Sequence, residues 1–425
     1  MNLKQSILLF TSIAFLPYFG HAQAATHDDA IYKKTMQLAD EVRQRYAPDQ
    51  RTALFDIRID TSTLNARYQI ETTEQAARIA FIDLLQENNI AMDGSVILFP
   101  DRSVGETTKG IINLSVANLR TLPRNQAEMA TQALLGTVVD LLQYQNGYFR
   151  VRTPDGYIAW VSSSSVTPAT EVALADWNAH KKVIFVADYG HAYETADELS
   201  TRVSDLVMGD ILITNGTTGD FTNVVYPDGR EGFVKNVHIE AFDQWQQTLE
   251  LKAERILNVA KTMMGLPYLW GGTSVKGVDC SGFTKTAYFM NGLIIPRDAS
   301  QQVLAGKTLD VLTNNNLDTA KLLQNLQPAD LLFFAEAKGK TANPRVTHVA
   351  LYLGGGQFIH ASGTVRINSL LSNAPDFDAG RANTLVAARR YLGQEDRALQ
   401  LLMTHPAYNP SNITMHSNTA KQATP

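Results

Sequence analysis

Cysteine is nearly absent from this chain: Cys280 stands alone in 425 residues. A single cysteine forms no internal disulfide, so stability has to come from packing. Charge of one sign is missing too. The 37 basic and 42 acidic residues leave a net charge of −5, and no block of like charge stands out. Nothing therefore marks nucleic acid or an anionic membrane as a partner. Low-complexity tracts are lacking, and beyond the N-terminus no apolar run is long enough to span a bilayer. What is present is a composition 44% hydrophobic, in a chain too long for one ordinary core. Two to four domains are expected.

The N-terminus has its own signature. Lys4 precedes an apolar run from Ile7 to about Phe19, followed by Ala22-Gln23-Ala24. A short positive start, an apolar centre and an A-x-A site predict a secretory signal peptide, residues 1–24, and an exported (periplasmic or secreted) mature protein. In an oxidising compartment an unpaired thiol is a liability unless it is buried or used.

Residues 28–104 read as a small α+β domain, with helices over Ala30–Tyr46 and Thr73–Gln86 and strands over Ala53–Ile59 and Val96–Pro100; no chemistry attaches to it. An internal repeat follows. Gly136 precedes Pro154-Asp155-Gly156 by eighteen residues, and Gly209 precedes Pro227-Asp228-Gly229 by the same interval. Each turn leads into a short aromatic strand, bearing Trp160 or Phe233. Short strands, frequent turns and the repeat predict two small β-barrels in tandem, 106–168 and 182–242, with Trp160 and Phe233 as core. Gln244–Met264 reads as one helix. Helices followed by antiparallel strands then describe an α+β domain over 250–395, and a polar tail over 398–425 is expected to be loosely ordered.

The chemistry concentrates in that last domain. A glycine-broken loop, Tyr268 to Gly282, delivers Cys280 to the start of an amphipathic helix, where the helix dipole is expected to lower the thiol pKa. In the strand Val346–Leu353 alternation puts His348 on one face, and His360 on the next strand, across a Gly354-Gly-Gly hairpin, can share that face. If the cysteine helix packs on that side, the order becomes thiol, base His348, and His360 orienting the base. Zinc is the other use of one cysteine and two histidines, but no ligands stand at a characteristic interval.

Read together, Gly265-Leu-Pro-Tyr268-Leu-Trp270-Gly271-Gly272, Asp279-Cys280-Ser281-Gly282, Pro296-Arg297-Asp298, Gln327-Pro-Ala-Asp330, Thr347-His348-Val349-Ala350-Leu-Tyr352 and Phe358-Ile-His360-Ala-Ser362 resemble the NlpC-type, papain-like cell-wall cysteine peptidases. The barrels resemble bacterial SH3-like domains, with Asn118-Leu-Arg120 as an early strand. The resemblance implies a papain-like catalytic domain, the set Cys280, His348 and His360, and no cofactor. It is nearest the γ-D-glutamyl-L-diamino acid endopeptidases of dipeptidyl-peptidase VI type, which act on peptidoglycan-derived peptides. In that subgroup a pocket takes the free amine of an N-terminal L-alanine; the matching positions are Tyr268, Trp270, Asp279, Ser281 and Asp298. A tyrosine of the first barrel walls that pocket, either Tyr157 or Tyr148. Ala299 departs from the serine often found there. An amidase or acyltransferase on the same fold, a general wall hydrolase, or a wall-binding protein with an inactive domain are the rival expectations.

Overall fold

The structure, a computed structural model, describes residues 24–60, 67–91 and 93–409. The expected leader falls outside these residues except for Ala24. The chain divides into two compact units, with the boundary after Leu98.

The first unit comprises α1 (Ala24–Tyr46), β1 (Phe55–Asp60), β2 (Arg67–Thr72), α2 (Gln75–Glu87) and β3 (Asp93–Leu98). β2 pairs antiparallel with β1 and parallel with β3, α2 forming the crossover. Leu38, Val42, Phe55, Ile70 and Phe81 make its core. β2 is an addition to the sequence reading. Its alternation, with Ile70 and Thr72 buried, spans too few residues to stand out.

The second unit opens with two barrels of one topology. The first is β4 (Lys109–Ile112), β5 (Val116–Arg120), β6 (Met129–Leu134), β7 (Val138–Gln145), β8 (Tyr148–Arg152), β9 (Ile158–Ser162) and β10 (Val166–Ala169). After α3 (Glu171–Ala179) come β11 (Lys182–Phe185), β12 (Tyr189–Tyr193), β13 (Arg202–Val207), β14 (Ile211–Thr218), β15 (Phe221–Val225), β16 (Glu231–Lys235) and β17 (Ile239–Ala241). The orders β10-β4-β7-β8-β9-β5-β6 and β17-β11-β14-β15-β16-β12-β13 correspond strand for strand, so the repeat in sequence is a repeat in topology. Trp160 is buried, with the Arg150 guanidinium 5.3 Å from its ring centroid; Phe233, expected as core, is only half-buried, because it is its neighbour Val234 that joins the core of the second barrel.

The expected single helix over 244–264 is two, α4 (Phe242–Thr248) and α5 (Ala253–Thr262). The chain extends between them, and Arg255 Nη1 caps the Thr248 carbonyl at 2.9 Å. β18 (Thr273–Ser274) and β19 (Gly277–Val278) form a short ladder ahead of α6 (Cys280–Phe289). β20 (Leu293–Ile294) and α7 (Ala299–Gln302) follow, then β21 (Lys307–Leu309), the hairpin β22 (Leu312–Thr313) and β23 (Asn316–Leu317), and α8 (Thr319–Asn325). The domain closes with β24 (Leu331–Phe334), β25 (His348–Gly354), β26 (Gln357–Ser362), β27 (Thr364–Ser369), α9 (Ala379–Thr384), β28 (Leu385–Arg390) and β29 (Gln400–Leu401).

A six-stranded antiparallel sheet, β21-β28-β24-β25-β26-β27, organises this domain. One face buries Leu331, Phe333, Val349, Leu351, Ile359 and Ala361 against Ile256, Phe283 and Ala287 of α5 and α6. The opposite face buries Leu332, Phe334, Ala350, Tyr352 and Phe358 under Val311, Leu322 and Ala382. The long segment between Leu309 and Leu326 thus has a physical purpose: it supplies the cover for the second face.

The tail corrects an expectation. Rather than being loose from residue 398, the described part folds back: β29 pairs with β20, and the Leu402 amide donates to the Gly292 carbonyl at 2.9 Å. Leu402 is buried, and the Tyr408 ring lies 5.7 Å from that of Phe289. These two anchors, with Ala398 and Leu399 packed against the core of the domain, hold the chain down.

Candidate active site

Cys280 is the first residue of α6, and Asp279 is its N-cap, accepting the Gly282 amide at 2.7 Å. The helix start is pressed against its own loop: a Cβ on Gly282 would lie 2.0 Å from the Gly272 carbonyl oxygen, so only glycine fits. Gln302, fully buried, bonds the carbonyls of Ser281 and Pro296 through Nε2 and receives Thr284 Oγ1 at 2.9 Å, locking the helix to the segment that follows it.

Contrary to the expectation, α6 packs on the face of the sheet opposite the one that carries His348 and His360. Its apolar stripe, Phe283 and Ala287, finds its match in Val349, Leu351 and Ile359. What links the helix start to the histidine strand is the residue after His348, the first of β25: the backbone N–H of Val349 acts on the Cys280 thiol.

The two imidazoles share a face as expected. His348 Nε2 and His360 Nδ1 are 2.8 Å apart, and His360 Nε2 lies 3.1 Å from Asn368 Oδ1 on β27. This chain assigns the protons. Asn368 Nδ2 donates to the Asp376 carbonyl at 3.2 Å, which turns Oδ1 toward His360. His360 Nε2 must then carry a hydrogen, leaving Nδ1 to accept from His348 Nε2–H. The lone pair of His348 is left on Nδ1, in the form that can take a proton. Asn368 lies on β27, a strand beyond the two histidines that carry the motif. The alternation of Thr364, Val365, Arg366 and Ile367 was the available signal for a further strand.

Ionisation differs from expectation. Burial pushes the Cys280 thiol up to about 11, with the Asp279 charge adding to the rise and the Val349 amide and Arg297 opposing it. A helix dipole is worth about 0.3–1 kcal/mol, too little to offset removing a thiolate from water. Burial also holds His348 well below the usual range, reinforced by Arg381, His360 and Arg366. His360 is lowered to about 4, again mainly by burial. Both shifts favour the neutral forms at rest, a thiol and an unprotonated imidazole, so that the proton moves when the nucleophile attacks.

A pH profile follows. A lowered imidazole pKa means the base stays unprotonated as pH falls through 6.5, so the acid limb of kcat/KM is expected to have its midpoint clearly below pH 6. A midpoint at 6.5 or above would contradict the assignment. The unfolded chain does protonate its histidines near pH 6.5, so stability is expected to decline as pH drops below that value.

The remaining expected residues fall into two groups. Asp279 and Ser281 are buried and engaged by Arg297, itself 1% exposed. Arg297 Nη2 and Nη1 lie 2.6 and 3.1 Å from the two Asp279 oxygens, and Nη1 is 2.9 Å from Ser281 Oγ. With the amides of Gly271 and Gly282 and the Ser281 hydroxyl also donating, the Asp279 carboxylate has its acceptor sites filled. It is a structural group behind the pocket. Arg297, unnoticed as a site residue in sequence, is the hub.

Of the others, Tyr268 and Asp298 are half-buried, Trp270 is exposed, and Tyr157 is buried in the first barrel. The Tyr268 amide donates to the Gly363 carbonyl at 2.8 Å, which holds it between the cysteine loop and the start of β27. Burial, then the nearby thiol and Asp279, keep its hydroxyl protonated. Trp270 is 63% exposed, and its indole N–H donates to Glu128 of the first barrel at 2.7 Å. Tyr157, from the first barrel, donates to Asp298 Oδ2 at 3.3 Å. Tyr148 instead bonds Asn125 within its own barrel. Of the two tyrosines, Tyr157 is therefore the one whose hydroxyl reaches the catalytic domain.

The first barrel is locked in this position by buried polar contacts. Gln132 Oε1 receives the Thr273 amide at 2.9 Å, Thr131 Oγ1 receives Arg297 Nε at 2.8 Å, and Lys285 Nζ lies 2.7 Å from Asp155. A Cβ on Gly271 would lie 2.5 Å from the Met129 carbonyl oxygen, so the loop approaches the barrel as closely as backbone allows.

Comparison with known proteins agrees with this architecture. Residues 265–376 match the NlpC/P60 family, and residues 119–166 match the bacterial dipeptidyl-peptidase Sh3 domain. The chain is similar to a gamma-D-glutamyl-L-lysine dipeptidyl-peptidase of Bacillus cereus, 28% identical over 277 residues that cover 63% of this chain and 77% of that protein. It is likewise similar to dipeptidyl-peptidase 6 of Lysinibacillus sphaericus, 28% identical over 293 residues covering 65% and 97%. The crystal structure of an NlpC/P60 family protein from Bacillus cereus superposes with a TM-score of 0.54 at 26% identity, over 67% of this chain and 99% of that one.

Proposed function

The chain carries an NlpC/P60 domain of cysteine-peptidase type and a bacterial dipeptidyl-peptidase SH3 domain, and on that premise we propose that it hydrolyses the γ-D-glutamyl-L-diamino acid bond of peptidoglycan stem peptides whose N-terminal L-alanine is free. Cys280 attacks the γ-carbonyl while its proton passes to His348 Nδ1. The tetrahedral oxyanion is held by the backbone N–H of Cys280, which as the first helical residue has no partner within the helix. Collapse breaks the amide, His348 returns the proton to the departing amine, and a thioester remains on Cys280. Water deprotonated by His348 then releases the acid and restores the thiol.

The observation that carries the free-amine part is the hydrogen bond from Tyr157 to Asp298. It brings a wall of the first barrel onto an acidic group beside the cleft, where an ammonium could sit among Asp298, Tyr157, Tyr268 and the Trp270 face. A peptide still attached to glycan through its alanine has no such charge and meets that wall. The name of the Bacillus cereus relative, gamma-D-glutamyl-L-lysine dipeptidyl-peptidase, supports the same bond.

The test offers three substrates to the pure protein: L-Ala-γ-D-Glu-diamino acid tripeptide, its N-acetyl derivative, and intact wall. The free tripeptide is expected to be cut at least roughly 10²-fold faster than the other two, and Asp298→Asn to lose most of that preference. Equal cutting of all three would leave a general wall hydrolase; mass analysis of the products separates either outcome from amidase chemistry.

A further inference from the structure

The arginines of the catalytic domain are unequally provided for. Arg297 is matched by Asp279, and Arg390 grips both oxygens of Asp330 at 2.8 and 2.7 Å. Arg381 and Arg366 have no carboxylate within ion-pair distance among the described residues, yet both stand beside the catalytic imidazoles. Arg381, on α9, is half-buried, with its guanidinium 5.6 Å from the centroid of the Phe334 ring. That ring in turn packs on His348 at 5.7 Å. The guanidinium is near enough to the Cys280 thiol, the Tyr268 hydroxyl and both imidazoles to influence the ionisation of each. Arg366 lies directly across the β26–β27 ladder from His360, and cross-strand partners project to the same face.

The acids that act on Arg381 are Asp378 and Glu336, but neither pairs with it. Asp378 is occupied in capping α9, where its Oδ1 accepts the Arg381 amide at 2.9 Å. A partly desolvated guanidinium with no counter-ion is unfavourable on its own. It becomes favourable once an anion arrives, and the planar fork of an arginine is shaped for a carboxylate.

We propose that Arg381, with Arg366 beside it, forms a carboxylate-binding site adjoining the Cys280–His348 centre and separate from the Asp298–Tyr157 pocket, and that it holds a free carboxylate of the peptide being cut. The inference deepens the peptidase reading above and rests on it. A γ-linked glutamyl residue supplies one such group, because its side-chain carboxyl is committed to the scissile bond and its α-carboxylate is free. The leaving diamino acid supplies another. Either would be anchored within reach of the reacting carbonyl, so the site would align the bond as well as add affinity.

The experiment uses the full chain and three free-amine tripeptides: one with both carboxylates free, one with the glutamyl α-carboxylate amidated, and one with the leaving residue amidated. kcat/KM is measured for the wild type, Arg381→Met and Arg381→Lys. The wild type is expected to cut one of the amides about tenfold or more slower than the free acid, which identifies the carboxylate. Arg381→Met is expected to lose a similar factor on the free acid and nothing further on that amide; Arg381→Lys should recover part of the loss. Equal losses on all three peptides, or none, would overturn the site. If the wild type cuts none of them, the peptidase reading is what fails. Affinities of Cys280→Ser protein for the same peptides then judge the guanidinium site by itself, and amide-insensitive binding overturns it.

Discussion

Cys280→Ser protein is expected to lose roughly 10³–10⁵-fold in kcat/KM while still binding the substrate peptide, since the change swaps one small buried atom for another and leaves the Asp279 cap intact. The size of the loss comes from the reaction, not from the fold. A serine hydroxyl is a far poorer nucleophile than a thiol when the only base is an imidazole whose proton affinity has been reduced by burial. The same physics makes a statement about the wild type. With the thiol raised to about 11, alkylation by iodoacetamide in the absence of substrate is expected to be slow at pH 7. Its rate should keep climbing through pH 10, as the thiolate fraction rises from about 10⁻⁴. A rate already level between pH 6 and 9 would mean a resting thiolate–imidazolium pair, and would remove the account of proton transfer during attack. Substrate binding adds to the argument, because a carbonyl placed against the sulfur gives the proton somewhere useful to go at the moment it leaves.

What could be read from sequence, and what could not, divides along a physical line. Cys280 at a helix start and His348 and His360 on one strand face follow from periodicities of 3.6 and 2, which local sequence carries directly. The two barrels follow from a repeat of turns, and their common topology agrees. The face on which α6 packs does not follow, because both faces of the sheet are apolar: Val349 and Leu351 on one, Ala350 and Tyr352 on the other. The ionisation of Cys280 does not follow either, because the helix dipole is visible in sequence and burial, the larger influence on the thiol, is not. Arg297 looked like part of a Pro-Arg-Asp string; only the fold reveals that its guanidinium joins Asp279, Ser281 and Thr131, which are 18, 16 and 166 residues away. Leu402 is flanked by the exposed Leu401 and Met403, so apolar character alone does not mark which position is buried.

Removing Arg297 is expected to damage stability more than any other single change in the catalytic domain. The guanidinium is buried, spans both oxygens of Asp279, and ties Thr131 of the first barrel to the loop bearing the nucleophile. Arg297→Met would leave a buried carboxylate with amide and hydroxyl donors and no counter-charge, a loss of about 3–5 kcal/mol. For a domain of this size that corresponds to a fall on the order of 10 °C in its melting temperature. Arg297→Lys is expected to fare little better, because a point charge cannot reach two carboxylate oxygens, a serine and a threonine at once. The decisive comparison is Arg297→Met with Asp279→Asn. Neutralising the aspartate removes the orphaned charge while an amide oxygen can still accept the Gly282 amide, so the double variant should melt above Arg297→Met alone. If it instead melts lower, by the sum of the single effects, the pair is not coupled and the cap of α6 does not depend on it. Activity gives the second reading. The pair holds the N-terminal turn from which Cys280 and its backbone N–H face the substrate. Arg297→Met protein assayed well below its melting temperature should therefore show a reduced kcat; an unchanged kcat would restrict the role of Arg297 to holding the barrel and the catalytic domain together.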